Sequence, residues 1–208
     1  MRLYIKGDYT KEIPFDYLEL AKRMWFDTKD GKRVDFSYFG NTRPFKTDPT
    51  IHLKLNKWMH DNRWNNVQLK EGITNEFGSH VYENLELDFE DNPATDYREK
   101  GDCLRIITTH KDILTVDKRA LYIMAIEVAS AIGGHISEDD KETWLSIKEF
   151  KTKHADLLHL TYDEAADISL EEIKVMKAVD EPLWEELDRK REEYIRIHGE
   201  VELDDEEE

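Results

Sequence analysis

Residues 120–136 form the longest apolar stretch of the chain, interrupted by Glu127 and His135. The stretch is about the minimum length for a membrane span, but Gly133-Gly134 supplies a left-handed stop that leaves a helix of about four turns. Its residues Ala120, Leu121, Ile123, Met124, Ala125, Ile126, Val128, Ala129 and Ile132 cover almost the whole circumference. A helix without a polar face has to be enclosed by other elements. The pattern therefore predicts a core helix at the centre of a soluble fold, with Asp117 as its N-cap.

What encloses it reads mostly as sheet. Residues 2–6 alternate with Leu3 and Ile5 on one side, and Val34, Phe36 and Tyr38 alternate with Asp35, Ser37 and Phe39. Ile51, Leu53 and Leu55 repeat the pattern, and shorter strands are expected at 67–70, 85–89 and 103–108. Strands with few intervening helices point to an antiparallel sheet.

Asp16 with Glu19, and Phe15 facing Leu20, mark the start of an early helix that runs to about residue 27. After the core helix, His135 and Ile136 open a strand, Glu138-Asp139-Asp140 forms an acidic turn, and the pattern becomes helical from Ser146 to about residue 158. Ser169 with Glu172 reads as a capping box for another helix, and a last one spans about 181–198, ending at Gly199. The expected architecture is an α+β domain over 1–160, with 91–102 as a possible seam between two lobes. A helical extension over 161–200 and a disordered acidic tail over 201–208 complete it.

Charge narrows the function classes. The chain carries 47 Asp and Glu against 30 Lys and Arg, a net charge of −17, and the excess is uneven: residues 1–70 sum to +5 and residues 71–208 to −22. Direct nucleic-acid or membrane-surface binding requires a basic footprint, so neither is expected. The acidic part suits a basic protein partner. A lone Cys103 and a charged N-terminal sequence read as a cytosolic protein without disulfides.

Each chemical motif has a plainer reading beside it. His154 and His159 lie about 140° apart on a helix, and no HExxH signature is present, so no metal or other cofactor is expected. Glu138, Asp139, Asp140 and Glu142 lack the spacing of a calcium loop and read as a solvated turn that can meet a basic partner. Glu127 is either a buried acid with a raised pKa or a helix-edge residue paired with a base. Trp58 and Trp64 are either core anchors or binding hot spots. Nucleophile elbows, phosphate loops and dinucleotide fingerprints are missing, and Cys103 falls within a strand pattern.

From residue 104 to 147 the cadence LRIITTH, a long apolar helix ending AIGGHISEDD, then TWLSI resembles the α+β segments of small immunity proteins from bacterial polymorphic-toxin systems. The resemblance spans about a fifth of the chain and implies a cytosolic, non-catalytic inhibitor. The expected mechanism is occlusion of a basic partner, such as a toxin domain, by an acidic face running from Glu138 and Glu142 to Asp163, Glu164 and Asp167. Two alternatives stand beside it: a phage-type nucleic-acid mimic, and a hydrolase or nucleotide-processing enzyme with a pocket built from scattered residues.

Overall fold

The computed structural model describes residues 1–28, 33–40, 50–57, 61–64, 83–91, 100–138 and 141–199. Seven strands form one antiparallel sheet: β1 (Arg2–Lys6), β2 (Phe36–Gly40), β3 (Ile51–Leu55), β4 (Leu85–Asp91), β5 (Lys100–Thr108), β6 (His135–Ser137) and β7 (Leu145–Ser146), in the order β2-β3-β4-β5-β1-β6-β7. The described helices are α1 (Tyr17–Trp25), α2 (Thr115–Ile132), α3 (Ile147–Lys153), α4 (Ala155–Leu158), α5 (Tyr162–Glu172) and α6 (Leu183–His198). This is the expected α+β fold. The strand expected over 67–70 and the tail over 201–208 lie outside the described residues.

Period-two alternation decides which sheet face is apolar. Leu3 and Ile5 of β1, Ile51, Leu53 and Leu55 of β3, Leu85 and Leu87 of β4, and Leu104 and Ile106 of β5 are all buried in one cluster. Helix α2 lies against that cluster, with Ala120, Leu121, Met124, Ala125, Val128 and Ile132 fully enclosed. Leu121, Met124, Val128 and Ile132 each contribute about 1.5–3 kcal/mol on burial, so this layer is a large part of the stability. Gly133 ends α2 at φ +65°, and Gly134 sits where a Cβ would come within 2.6 Å of the Lys6 carbonyl oxygen, so the strand return to β6 needs this pair.

Strands β4 and β5 flank the residues expected as a seam, yet they are hydrogen-bonded neighbours in register from Leu85↔Thr108 to Asp91↔Lys100. Leu85 and Leu87 of β4 and Leu104 and Ile106 of β5 enter the same core cluster. The helical residues after 160 likewise belong to the body: Tyr162, Ala165, Ala166 and Ile173 bury against the same cluster.

Two helix starts differ from expectation. Helix α2 begins at Thr115, and Asp117 lies inside its first turn, where its carboxylate pairs with Lys57 and does not cap. Helix α5 begins seven residues before Ser169, with Thr161 and Glu164 forming the capping box. Ser169 and Glu172 instead serve α2: Ser169 Oγ accepts the Val116 N–H at 2.8 Å, and the Glu172 carboxylate accepts the Thr115 N–H at 2.7 Å and its hydroxyl at 2.6 Å. One helix thus satisfies the orphan donors of another.

Candidate interaction surface

The residues expected to meet a partner fall into separate environments. Asp139, Asp140 and Trp58 lie outside the described residues. Glu138, just after β6, accepts hydrogen bonds from Tyr122 Oη (3.1 Å) and Lys153 Nζ (2.6 Å), and its third partner, at 2.9 Å, is His154 Nε2. Burial alone would raise its pKa, but the Lys153 and His154 contacts outweigh burial and hold it below the ordinary glutamate value. Its side chain is 16% exposed and engaged in joining β6 to α3, so it is a structural anchor rather than a free rim charge. Glu142 is exposed.

Trp64 is 0% exposed and packs in the core, the core-anchor alternative of its two readings and not the partner-binding one. An indole of that size gains more from complete burial than a surface position returns. Its neighbour Arg63 reaches outward and collects three carboxylates: Asp61 at 2.6 Å, Asp163 at 3.0 Å and Asp167 at 3.0 Å. Hydrogen bonding to Asp61 raises the Arg63 pKa. Asp61, which burial would push up, is held below its usual range by the same guanidinium.

Helix α5 presents what these contacts leave at the surface. Tyr162, Ala165, Ala166 and Ser169 follow the helical period inward, while Glu164, Asp167, Ile168 and Glu171 follow it outward. Residues 155–173 hold six carboxylates and no Lys or Arg. Ile168 is 41% exposed, and Val175, seven residues on and just past the end of α5, is 66% exposed. Two apolar side chains are therefore open to solvent along the same acidic segment. The Arg63–Asp167 and Lys174–Glu171 pairs that touch this face are exposed, and pairs of that kind are worth about 0–1 kcal/mol, so a partner's cations can replace them.

Comparison with protein-family models, curated proteins and solved structures finds no match for this chain. Function has to be read from the geometry.

The reactive side chains at the centre of the fold are sealed. Lys57 Nζ lies 2.8 Å from Asp117 Oδ2, and Glu83 Oε2 lies 2.7 Å from His110 Nδ1, with all four residues at most 1% exposed. Burial, reinforced by the charge of Glu83, pushes the Asp117 pKa up to about 6 against the opposing charges of Lys57 and His110. Sequence reasoning missed this group because its members come from the end of β3, the approach to β4, the loop after β5 and the first turn of α2. No local spacing links them.

Glu127 pairs with Arg23 of α1, the base-paired alternative of its two readings. Cys103 is buried in β5, and burial raises its thiol pKa, which disfavours the reactive thiolate. Among the described residues, no group of three His, Cys, Asp or Glu side chains could hold a metal ion, and no helix is long and apolar enough to cross a membrane.

Proposed function

We propose that this chain is a cytosolic, immunity-like inhibitor that acts by occluding a basic protein partner, and that the solvent face of α5 is the centre of its interface. The observation that carries the reading is that Glu164, Asp167 and Glu171 share the outward face of α5 with exposed Ile168, with exposed Val175 following just after the helix. Peripheral carboxylates raise the encounter rate of a cationic partner, and the two apolar side chains supply contact area that excludes water once docked. Burial of the titratable centre favours this over the enzyme alternative, because a substrate cannot reach groups that are at most 1% exposed without opening the fold. The proposed interface leaves out Glu138, whose carboxylate is engaged by Lys153 and His154.

Affinity capture from the native host tests the proposal, with the unaltered protein and the triple variant Glu164→Lys/Asp167→Lys/Glu171→Lys run side by side at low and physiological salt. The expected result is a basic protein retained by the unaltered chain, with association slowed about tenfold or more by the charge reversal. Retention of the same partner by the triple variant, indifferent to salt, overturns the interface. Turnover of a small substrate by the purified protein overturns the binder reading.

A further inference from the structure

A cavity of about 420 Å³ opens where the N-terminal turn of α2, residues 111–113 after β5, and the connector following α5 meet. Its size falls within the roughly 300–1,000 Å³ range of small-molecule sites. The walls are of two kinds. Lys111, Lys118 and Lys177 line it, and among the described residues none of the three has a carboxylate within ion-pair distance. Ile113, Met176 and Val179 supply apolar surface.

The other charged groups at the cavity do not cancel the lysines. Glu172 is committed to the Thr115 backbone and hydroxyl, and the Met1 ammonium is held by Glu181 at 2.5 Å. Asp112 is the remaining acid on the wall. Lys118 also sits 5.9 Å from the centre of the Tyr122 ring, so Lys111 and Lys177 are the ammonium groups most available to a ligand. The first α2 amides already donate to Glu172 and Ser169, which leaves recognition to side chains rather than to the helix end.

The walls are also well supported. The Lys111 N–H donates to the Val179 carbonyl at 2.8 Å, and the Glu181 N–H donates to the Thr109 carbonyl at 2.9 Å, so the two strips that carry Lys111 and Lys177 are tied side by side. Tied backbones spare a ligand that bridges these segments the cost of ordering them, and leave the rotamers of the two lysine side chains to be ordered on binding.

We infer that this cavity binds a small organic anion, with a carboxylate or phosphate head between Lys111 and Lys177 and a short apolar body against Met176 and Val179. The site adjoins the α5 face through Glu172 and the connector after it, but does not depend on the proposed interface. A chain of net charge −17 repels anions at long range, so binding here depends on the local lysines and weakens with salt.

The test titrates the full chain with acetate, hexanoate, octanoate, phenyl phosphate and inorganic phosphate, followed by amide chemical shifts. The expected result is saturable binding of octanoate or phenyl phosphate with a dissociation constant below about 1 mM, localised to residues 111–118 and 172–179. Lys111→Ala/Lys177→Ala should weaken it about tenfold or more with the melting temperature unchanged, since both side chains are exposed. Val179→Ser should weaken octanoate and leave inorganic phosphate unaffected. Carboxylate against phosphate ester as the preferred head is decided by the two series. Absence of saturation by every probe, affinity unmoved by the double lysine variant, or inorganic phosphate binding as tightly as the organic anions overturns the inference.

Discussion

Ser169 Oγ in α5 accepts the Val116 N–H of α2 at 2.8 Å while donating to the Ala165 carbonyl at 2.8 Å within its own helix. The hydroxyl is fully buried, so neither bond has a water substitute. This single atom links the start of the central helix to the helix whose outer face is proposed to meet the partner.

Replacing Ser169 by Ala should therefore destabilise the fold by about 1–2 kcal/mol, the range for losing a cap and leaving a buried N–H unpaired. Urea unfolding should show a lower midpoint with an unchanged slope. An unchanged midpoint would mean that the Val116 amide finds another acceptor.

Met124 lies at 0% exposure in α2, within the core cluster to which the sheet and the other helices also contribute. Met124→Asp places a carboxylate in this apolar cluster, at a cost above about 4 kcal/mol, and should prevent folding. Soluble expression of the variant with an unchanged melting temperature would contradict the central position of α2.

The Lys57–Asp117 pair should leave a signature in the pH dependence of stability. Asp117 has a folded pKa of about 6, above its ordinary value of 3.8. A raised folded pKa means that the native state holds the proton more tightly. The resulting stability is fully present below about pH 4 and is lost as pH rises to about 6, by up to about 3 kcal/mol. Lys57→Met/Asp117→Leu removes both charges at once and avoids stranding either. The double variant should gain stability relative to the unaltered protein as pH rises through this window. Asp61 and Glu138, held below their ordinary values, act in the opposite sense and lose their contribution as pH falls, but they are common to both proteins and cancel in the difference. A difference that is flat with pH would show that Asp117 ionises as it does in the unfolded chain.

Arg63 offsets Asp61, Asp163 and Asp167 at one point on the surface. Arg63→Ala leaves these carboxylates to repel one another, and a loss of about 1–2 kcal/mol is expected at low salt, shrinking as ionic strength rises. Thermal melts at two salt concentrations check this. A loss of stability independent of salt would assign Arg63 a packing role in place of an electrostatic one.

The strands, the early helix and the central helix were legible because their signals are local. Alternation in Ile51, Leu53 and Leu55 requires only the two-residue repeat of a strand, Asp16 accepts the Glu19 N–H three residues away, and Gly133 stops α2 through its own φ. The circumference of α2 also declared that it had to be enclosed, and it is. The α+β class therefore followed from the order of residues alone.

Competition among equivalent local signals was decided by the tertiary structure. Thr161-x-x-Glu164 and Ser169-x-x-Glu172 both match a capping box, yet the first opens α5 and the second caps α2, because only the folded chain brings Ser169 against Val116, 53 residues earlier. Asp117 matches an N-cap and becomes instead the partner of Lys57, 60 residues away. The acidic turn and the carboxylates of α5 look alike in sequence as surface features, and the two tryptophans admit a core and a surface reading alike. Lys153 and His154 claim Glu138, the core claims Trp64, and α5 turns Glu164, Asp167 and Glu171 outward. Composition determined that this chain carries a large excess of negative charge, whereas which carboxylates remain at the surface depends on the long-range contacts of each one, and those exist only once the sheet and helices are assembled.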